Sequence, residues 1–83
     1  MKYAAKIEVG LKPGHSNPEG ETTARSLVEL GFSVEAVDVS KVYTIILEAA
    51  SAKEAKAKAE EMSKRLLANP TKDNYTISVV EQK

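Results

Sequence analysis

The feature that most constrains the fold is the change of hydrophobic period along the chain. In the first segment, apolar side chains recur at every second residue and mostly charged residues lie between them. A period of two is typical of a β-strand with one buried side and one solvent-facing side. The strand ends at Pro13-Gly14, a dipeptide that favours a turn. Its predicted buried side consists of Tyr3, Ala5, Ile7, Val9 and Leu11.

Two later segments have the helical period instead. The first is predicted as a helix over about residues 19–30. Asn17 can cap its start, and Pro18 suits the first helical position, where its missing amide hydrogen costs nothing. Gly31 suits the C-terminal end, because glycine tolerates the left-handed conformation that ends many helices.

The second helix is predicted over residues 51–68. Ser51 and Glu54 have the spacing of a capping box, in which two side chains satisfy the first backbone amide hydrogens. Asn69 ends the helix, because Pro70 disfavours helical conformation in the residue before it. The helical period predicts a buried stripe at Ala52, Ala55, Ala59, Met62 and Leu66.

Three further segments are predicted to be strands, at residues 32–40, 41–48 and 74–81. In the first of these the apolar phase slips between Ala36 and Val37, which indicates a bulge or an edge position. The element order is therefore βαββαβ. This order predicts an α+β two-layer sandwich, a ferredoxin-like four-stranded antiparallel sheet with both helices on one face.

The composition sets the class of protein. Eighty-three residues predict a single domain, residues 1–83. Twelve basic residues balance twelve acidic ones, and no stretch approaches the roughly 20 apolar residues of a membrane span. The chain has no cysteine, which excludes a disulfide, a thiolate metal site and a cysteine nucleophile. We expect a cytoplasmic protein that binds neither nucleic acid nor membranes.

Few residues could carry catalysis or ligand binding. His15 is the only histidine, and no carboxylate near it in sequence is placed to orient it, so an exposed loop residue is expected. Gly14 and Gly20 lack the lysine and the serine or threonine of a phosphate-binding loop. Tyr3 and Tyr43 share a face with aliphatic core residues, unlike the aromatic residues of RNA-binding sheets. The sequence predicts no catalytic, cofactor or metal site.

Apolar surface remains after the core is assigned. The sheet face opposite the helices carries Ala4, Val42, Ile46 and Val80, where a monomer would favour polar residues. This pattern predicts self-association, as a dimer or a tetramer. Leu67 points about 100° away from the predicted buried stripe, so it either borders the core or faces a partner.

One block near the C-terminal end is specific. Residues 66–70, Leu-Leu-Ala-Asn-Pro, follow Met62 and precede Asp73 and Tyr75. This spacing resembles the C-terminal motif of the PurS family. Residues 17–20, Asn-Pro-Glu-Gly, are similar to that family's Asp/Asn-Pro-x-Gly after the first strand. The resemblance covers essentially the whole chain.

The resemblance implies a small, non-catalytic subunit of phosphoribosylformylglycinamidine (FGAM) synthase in de novo purine biosynthesis. In that complex a large subunit binds ATP, magnesium and formylglycinamide ribonucleotide, and a glutaminase subunit releases ammonia from glutamine. PurS joins the two, supports ammonia transfer and holds no cofactor itself. The implied partners are a second copy, the large subunit and the glutaminase subunit. The expected interface residues are Asn17, Pro18, Gly20, Lys41, Val42, Ile46, Leu67, Asn69, Pro70 and Tyr75.

A regulatory domain of ferredoxin-like topology that senses a small metabolite is the alternative. A sensor would gain thermal stability from its ligand in isolation, whereas a bridging subunit would gain little. Asp38 and Ser40 also depart from the family pattern, which has an arginine and a glycine at these positions. Contacts that the family makes through its arginine and glycine therefore do not carry over to Asp38 and Ser40.

Overall fold

The structure, a computed structural model, describes residues 1–82; the last residue of the predicted domain, Lys83, lies outside them. The two helices and three of the four predicted strands are present. No helix within the described residues is long and apolar enough to cross a membrane. The elements are β1 (Lys2–Leu11), α1 (Pro18–Glu29), β2 (Lys41–Glu48), α2 (Ala52–Met62), a π-helical turn (Ser63–Leu67) and β3 (Asp73–Gln82).

The sheet has three antiparallel strands in the order β2-β1-β3. Because side chains alternate between the two faces of a strand, one side of the central strand β1 forms the core, as its alternation predicts. Ile7 is fully buried there and lies between Tyr43 and Ile77 of the neighbouring strands. Burying a side chain of this size stabilises the fold by about 2–3 kcal/mol.

The second helix covers part of one sheet face. α2 packs over β1 and β3, and its Ala55 and Ala59 are fully buried. Ser63 is also buried, and its hydroxyl donates a hydrogen bond to the Ala59 carbonyl at 2.9 Å. At the start of α2 the Ser51 hydroxyl accepts from the Glu54 N–H at 3.1 Å. The predicted N-terminal cap is therefore confirmed.

The predicted four-stranded sheet is wrong. Within the described chain, residues 32–40 form no strand and contact α1 instead. The Asn17 side-chain N–H donates to the Val39 carbonyl at 3.2 Å, and the Val37 carbonyl lies against Gly20. These contacts occupy backbone groups that a fourth strand would offer to a neighbour. The slip of apolar phase at Val37 leaves the segment without one continuous buried face.

The prediction that both helices lie on the sheet is also wrong, because α1 stands away from it. Gly20, in its first turn, is the one residue of α1 that is buried. We call residues 18–40, which comprise α1 and the return segment, the arm. The molecule measures 50 × 30 × 14 Å, with a radius of gyration of 16.2 Å. A compact domain of this length has a radius of gyration of about 12 Å, so the chain is elongated.

The π-helical turn at Ser63–Leu67 changes which side of the second helix is buried. The Ala68 N–H donates to the Ser63 carbonyl at 2.9 Å, five residues back rather than the four of an α-helix. The extra residue rotates the following side chains by about 100°. Leu66, predicted in the buried stripe, is therefore 83% exposed, and Leu67, predicted to point away, packs against the core.

Candidate functional site

A cleft of about 490 Å³ lies between the end of β1 and residues 38–40. His15 lines this cleft and is exposed, as predicted. The Ser40 hydroxyl donates to the Glu8 carboxylate at 2.7 Å, so that acidic group is already engaged. No cluster of three potential metal ligands occurs in residues 1–82. Both basic and acidic side chains line the cleft, so its charge does not select an anionic or a cationic ligand.

Asn17 fixes the base of the arm beside this cleft. Its side-chain oxygen accepts from the Gly20 N–H at 2.9 Å, which caps α1, while its amide nitrogen donates to the return segment at Val39. Gly20 lets the two chain segments meet, because a Cβ atom there would overlap the Val37 carbonyl. Pro18 lies exposed between these two residues. The predicted cap at Asn17 is therefore confirmed. The bond from Asn17 to Val39 and the close approach at Gly20 are structural roles that the sequence analysis did not assign.

A hydrogen-bonded turn follows the second helix. The Asn69 side-chain oxygen accepts from the Thr71 N–H at 2.9 Å, and the Asn69 N–H donates to the Asp73 carboxylate at 2.9 Å. The Lys12 ammonium group donates to the Pro70 carbonyl at 2.9 Å, which ties the turn to the end of β1. Side chains that bond nearby backbone groups in this way hold a turn in one conformation. Asn69 and Pro70 are exposed on a fixed surface.

The sheet face away from α2 carries an apolar row, as predicted. Ile46 and Val80 lie on either side of Ala4 in the strand register, and they are 52% and 63% exposed. Val42 is exposed on the same face, four register positions away, with Thr44 between it and Ile46. Exposed apolar residues in contact with each other are typical of an interface. The role of this row in self-association stays a prediction.

The Glu48 carboxyl, which lies away from these surfaces, has a shifted pKa. The amino group of Met1 donates to it at 2.8 Å, and this hydrogen bond and charge lower the pKa of the Glu48 carboxyl. Both groups are largely exposed to solvent. Water and salt screen such a pair, so we assign it no part in function.

Comparison with known proteins identifies the family. The sequence model of PurS, described as phosphoribosylformylglycinamidine (FGAM) synthase, matches residues 4–81. The phosphoribosylformylglycinamidine synthase subunit PurS of Methanocaldococcus jannaschii is 44% identical over 78 residues, which cover 93% of this chain and 94% of the relative. The chain belongs to the PurS family. The family predicted from residues 17–20 and 66–70 is therefore confirmed.

Solved PurS structures have the same architecture. The structure of Thermus thermophilus PurS is 36% identical to this chain and superimposes with a TM-score of 0.91 over 100% of both chains. The structure of PurLQS from Thermotoga maritima contains a chain that is 25% identical, with a TM-score of 0.88 over 96% of this chain and 99% of that one. The three-stranded sheet therefore agrees with the PurS fold.

The interface residues expected from the sequence divide into two groups. Leu67 and Tyr75 are half-buried and pack against the core, and Asn17 and Gly20 hold the base of the arm. The remaining residues are exposed, and their contact with partners stays a prediction. They are Pro18, Lys41, Val42, Ile46, Asn69 and Pro70.

Two exposed apolar features were missed by the sequence analysis. One is Leu66, whose exposure depends on the π-helical turn and has no signal in the local pattern. The other is the tip of the arm, where Val28, Leu30 and Phe32 are all more than half exposed. A signal for the tip was present, since Leu30 and Phe32 flank Gly31, the predicted end of the helix.

Proposed function

We propose that this chain joins the large and glutaminase subunits of FGAM synthase and supports ammonia transfer between them. That it is a PurS subunit of this enzyme in purine biosynthesis, as the sequence predicted, is confirmed by matches to PurS subunits over nearly its whole length. The observation that carries the bridging role is the likeness to a chain of the Thermotoga maritima PurLQS structure. A subunit found in that assembly is suited to contact the other components.

Bridging has a clear chemical benefit in a reaction that passes ammonia between two sites. Free ammonia is largely protonated near neutral pH, and the ammonium ion is not a nucleophile. Holding the two sites in one complex raises the effective concentration of ammonia at the second site and limits its loss to solvent. A rigid module can supply this benefit without chemistry of its own.

We infer that catalysis and cofactor binding belong to the partner subunits. ATP and magnesium are assigned to the large subunit, and no residue of this chain is given a catalytic or cofactor-binding role. The engaged polar groups of the cleft, Glu8 with Ser40 and Asn17 with Val39, support this assignment. We infer a cytoplasmic location for the complex, because ATP and the purine intermediates are used there.

We infer that the large subunit or the glutaminase docks on the ridge formed by Leu66, Asn69 and Pro70. Leu66 is 83% exposed, and the hydrogen bonds of Asn69 hold the turn beside it in place. A preorganised apolar surface loses little entropy on binding. Leu66 replaces Leu67 in this proposal, since Leu67 lies in the core.

Assembly of the three components tests the bridging role. The large and glutaminase subunits are mixed with and without this chain, and the mass of the complex is measured by light scattering after gel filtration. We expect a stable three-part complex when this chain is present and separate subunits when it is absent. A full complex of the other two subunits without this chain would contradict the proposal.

The ridge is tested in the same assay with Leu66→Asp. We expect this variant to weaken assembly at least tenfold, because it puts a charge into a desolvated contact. Ala57→Asp is the matched control, since Ala57 is exposed on α2 outside the ridge. Equal assembly by both variants would show that the ridge is not the docking surface.

A further inference from the structure

The hydrogen-bonded turn that follows the second helix is closed by one carboxylate. The Asp73 side chain accepts from the Asn69 N–H at 2.9 Å, and the Asp73 N–H donates back to the Asn69 carbonyl at 2.8 Å. Asp73 is also the first residue of β3. A single residue therefore joins the exposed turn to the sheet.

The end of β1 holds the other side of the same turn. The Lys12 N–H donates to the Lys72 carbonyl at 2.7 Å, just beyond the last register pair of β1 and β3, Leu11 with Asp73. The Lys12 ammonium group donates to the Pro70 carbonyl at 2.9 Å. Pro70 is therefore held between the end of the second helix and the central strand of the sheet.

Packing alone does not hold this turn. Asn69, Pro70 and Thr71 are exposed, and a cavity of about 240 Å³ separates Lys72 and Asp73 from the base of the arm. The bonds made by the Asp73 carboxylate and the Lys12 ammonium group are open to solvent. Because water competes for such bonds, they add little to the stability of the whole fold. Their effect falls on the conformation of the turn.

We propose that Asp73 and Lys12 are positioning residues of the ridge. They act through Asn69 and Pro70, whose backbone they hold beside Leu66 in the conformation that the partner subunit binds. A turn that samples several conformations binds with an affinity reduced by the fraction of molecules in the competent one. This inference deepens the docking role given to the ridge and rests on the proposed bridging function.

The same hydrogen bonds prepare the ridge for the loss of water on binding. Pro70 has no backbone N–H, and its carbonyl is the group that Lys12 binds. The Asn69 N–H and side-chain oxygen are likewise used within the turn, by Asp73 and Thr71. An unpaired polar group would cost free energy when a partner removed its water. The turn therefore presents the Pro70 ring with its neighbouring polar groups already paired.

A titration of glutamine-dependent FGAM formation with this chain tests the inference. The large and glutaminase subunits are kept at fixed concentration, and both the half-saturating concentration of the chain and the maximal rate are measured. We expect Asp73→Ala to raise the half-saturating concentration about fivefold and to leave the maximal rate unchanged, because the competent turn becomes a minor conformation. Lys12→Met keeps an unbranched side chain without the donor, and we expect a change in the same direction.

Matched variants separate the hydrogen bond from the charge. Asp73→Asn keeps an acceptor oxygen, and we expect its half-saturating concentration to lie within about twofold of the wild-type value. Glu81→Ala and Lys53→Met remove one negative and one positive charge at exposed positions and are expected to have no effect. Circular dichroism checks that each variant is folded. The same half-saturating concentration for Asp73→Ala and Glu81→Ala would overturn the positioning role.

Amide hydrogen exchange of the purified chain, measured by NMR, is the second test and needs no partner. We expect the Asn69 and Thr71 N–H groups to exchange at least about fivefold faster in Asp73→Ala, because the turn opens locally. The Ala68 N–H, which is bonded to the Ser63 carbonyl, is expected to keep its rate. Unchanged exchange at Asn69 and Thr71 would show that the carboxylate does not hold the turn, which would overturn the inference.

The outcomes separate the positioning role from the proposed function. If the wild-type chain left glutamine-dependent FGAM formation unchanged, the bridging function and the positioning role would both be overturned. If the wild-type chain supported the reaction and Asp73→Ala did so at the same concentration, only the positioning role would be overturned. A lower maximal rate for Asp73→Ala at an unchanged half-saturating concentration would also overturn it, because Asp73 would then act in turnover and not in assembly.

Discussion

Gly20 lies in the first turn of α1, where the Val37 carbonyl approaches too closely for any side chain. We expect Gly20→Ala to destabilise the protein by about 1–3 kcal/mol, although alanine favours a helix over glycine by about 1 kcal/mol. The reason is that the arm base must open to admit the methyl group. The free energy of unfolding in urea measures this change.

Gly10→Ala is the control for Gly20→Ala. A Cβ atom at Gly10 would lie 3.5 Å from the Ser40 Cβ, an ordinary contact. We expect its free energy of unfolding to stay within about 0.5 kcal/mol of the wild type. Equal stability of both variants would mean that the close approach at Gly20 does not shape the arm.

At the scale of elements, the π-helical turn decides which of two adjacent leucines supports the fold. We expect Leu67→Asp to lower the free energy of unfolding by about 2–3 kcal/mol, because Leu67 packs against the core. Leu66→Asp should change it by no more than about 0.5 kcal/mol, since Leu66 is exposed. Thermal or urea unfolding of the two variants measures the difference. A larger loss for Leu66→Asp would contradict the turn.

The elements that the sequence predicts correctly are those set by local signals. The alternation in β1, the Ser51 cap of α2 and the glycine end of α1 at Gly31 all depend on residues close in sequence. The exposure of Val42 and Ile46 follows from the same alternation in β2, because neighbouring side chains must point to opposite faces.

The failures involve contacts that the local pattern does not contain. Residues 32–40 are rich in valine, but their pairing depends on a neighbour in space, and Asn17 and Gly20 take that role instead of a strand. Which of Leu66 and Leu67 is buried depends on one hydrogen bond, from the Ala68 N–H to the Ser63 carbonyl five residues back. A periodicity argument assumes a constant helical turn and therefore assigns the wrong leucine to the surface.

At the scale of the whole molecule, the open sheet face offers a surface for self-association. We expect Ile46→Glu to lower the mass of the oligomer by light scattering, because it places a charge in the apolar row with Ala4 and Val80. Gln82→Glu adds a charge at the exposed end of β3 and is expected to leave the mass unchanged. The open face would be excluded from self-association if Ile46→Glu also kept the wild-type mass.

The measurement that tests the account most directly is glutamine-dependent FGAM formation by the large and glutaminase subunits, with and without this chain. Ammonia-dependent FGAM formation by the large subunit is the internal control. A bridging subunit predicts that the glutamine-dependent rate requires this chain while the ammonia-dependent rate changes little. Equal glutamine-dependent rates with and without the chain would contradict the bridging role.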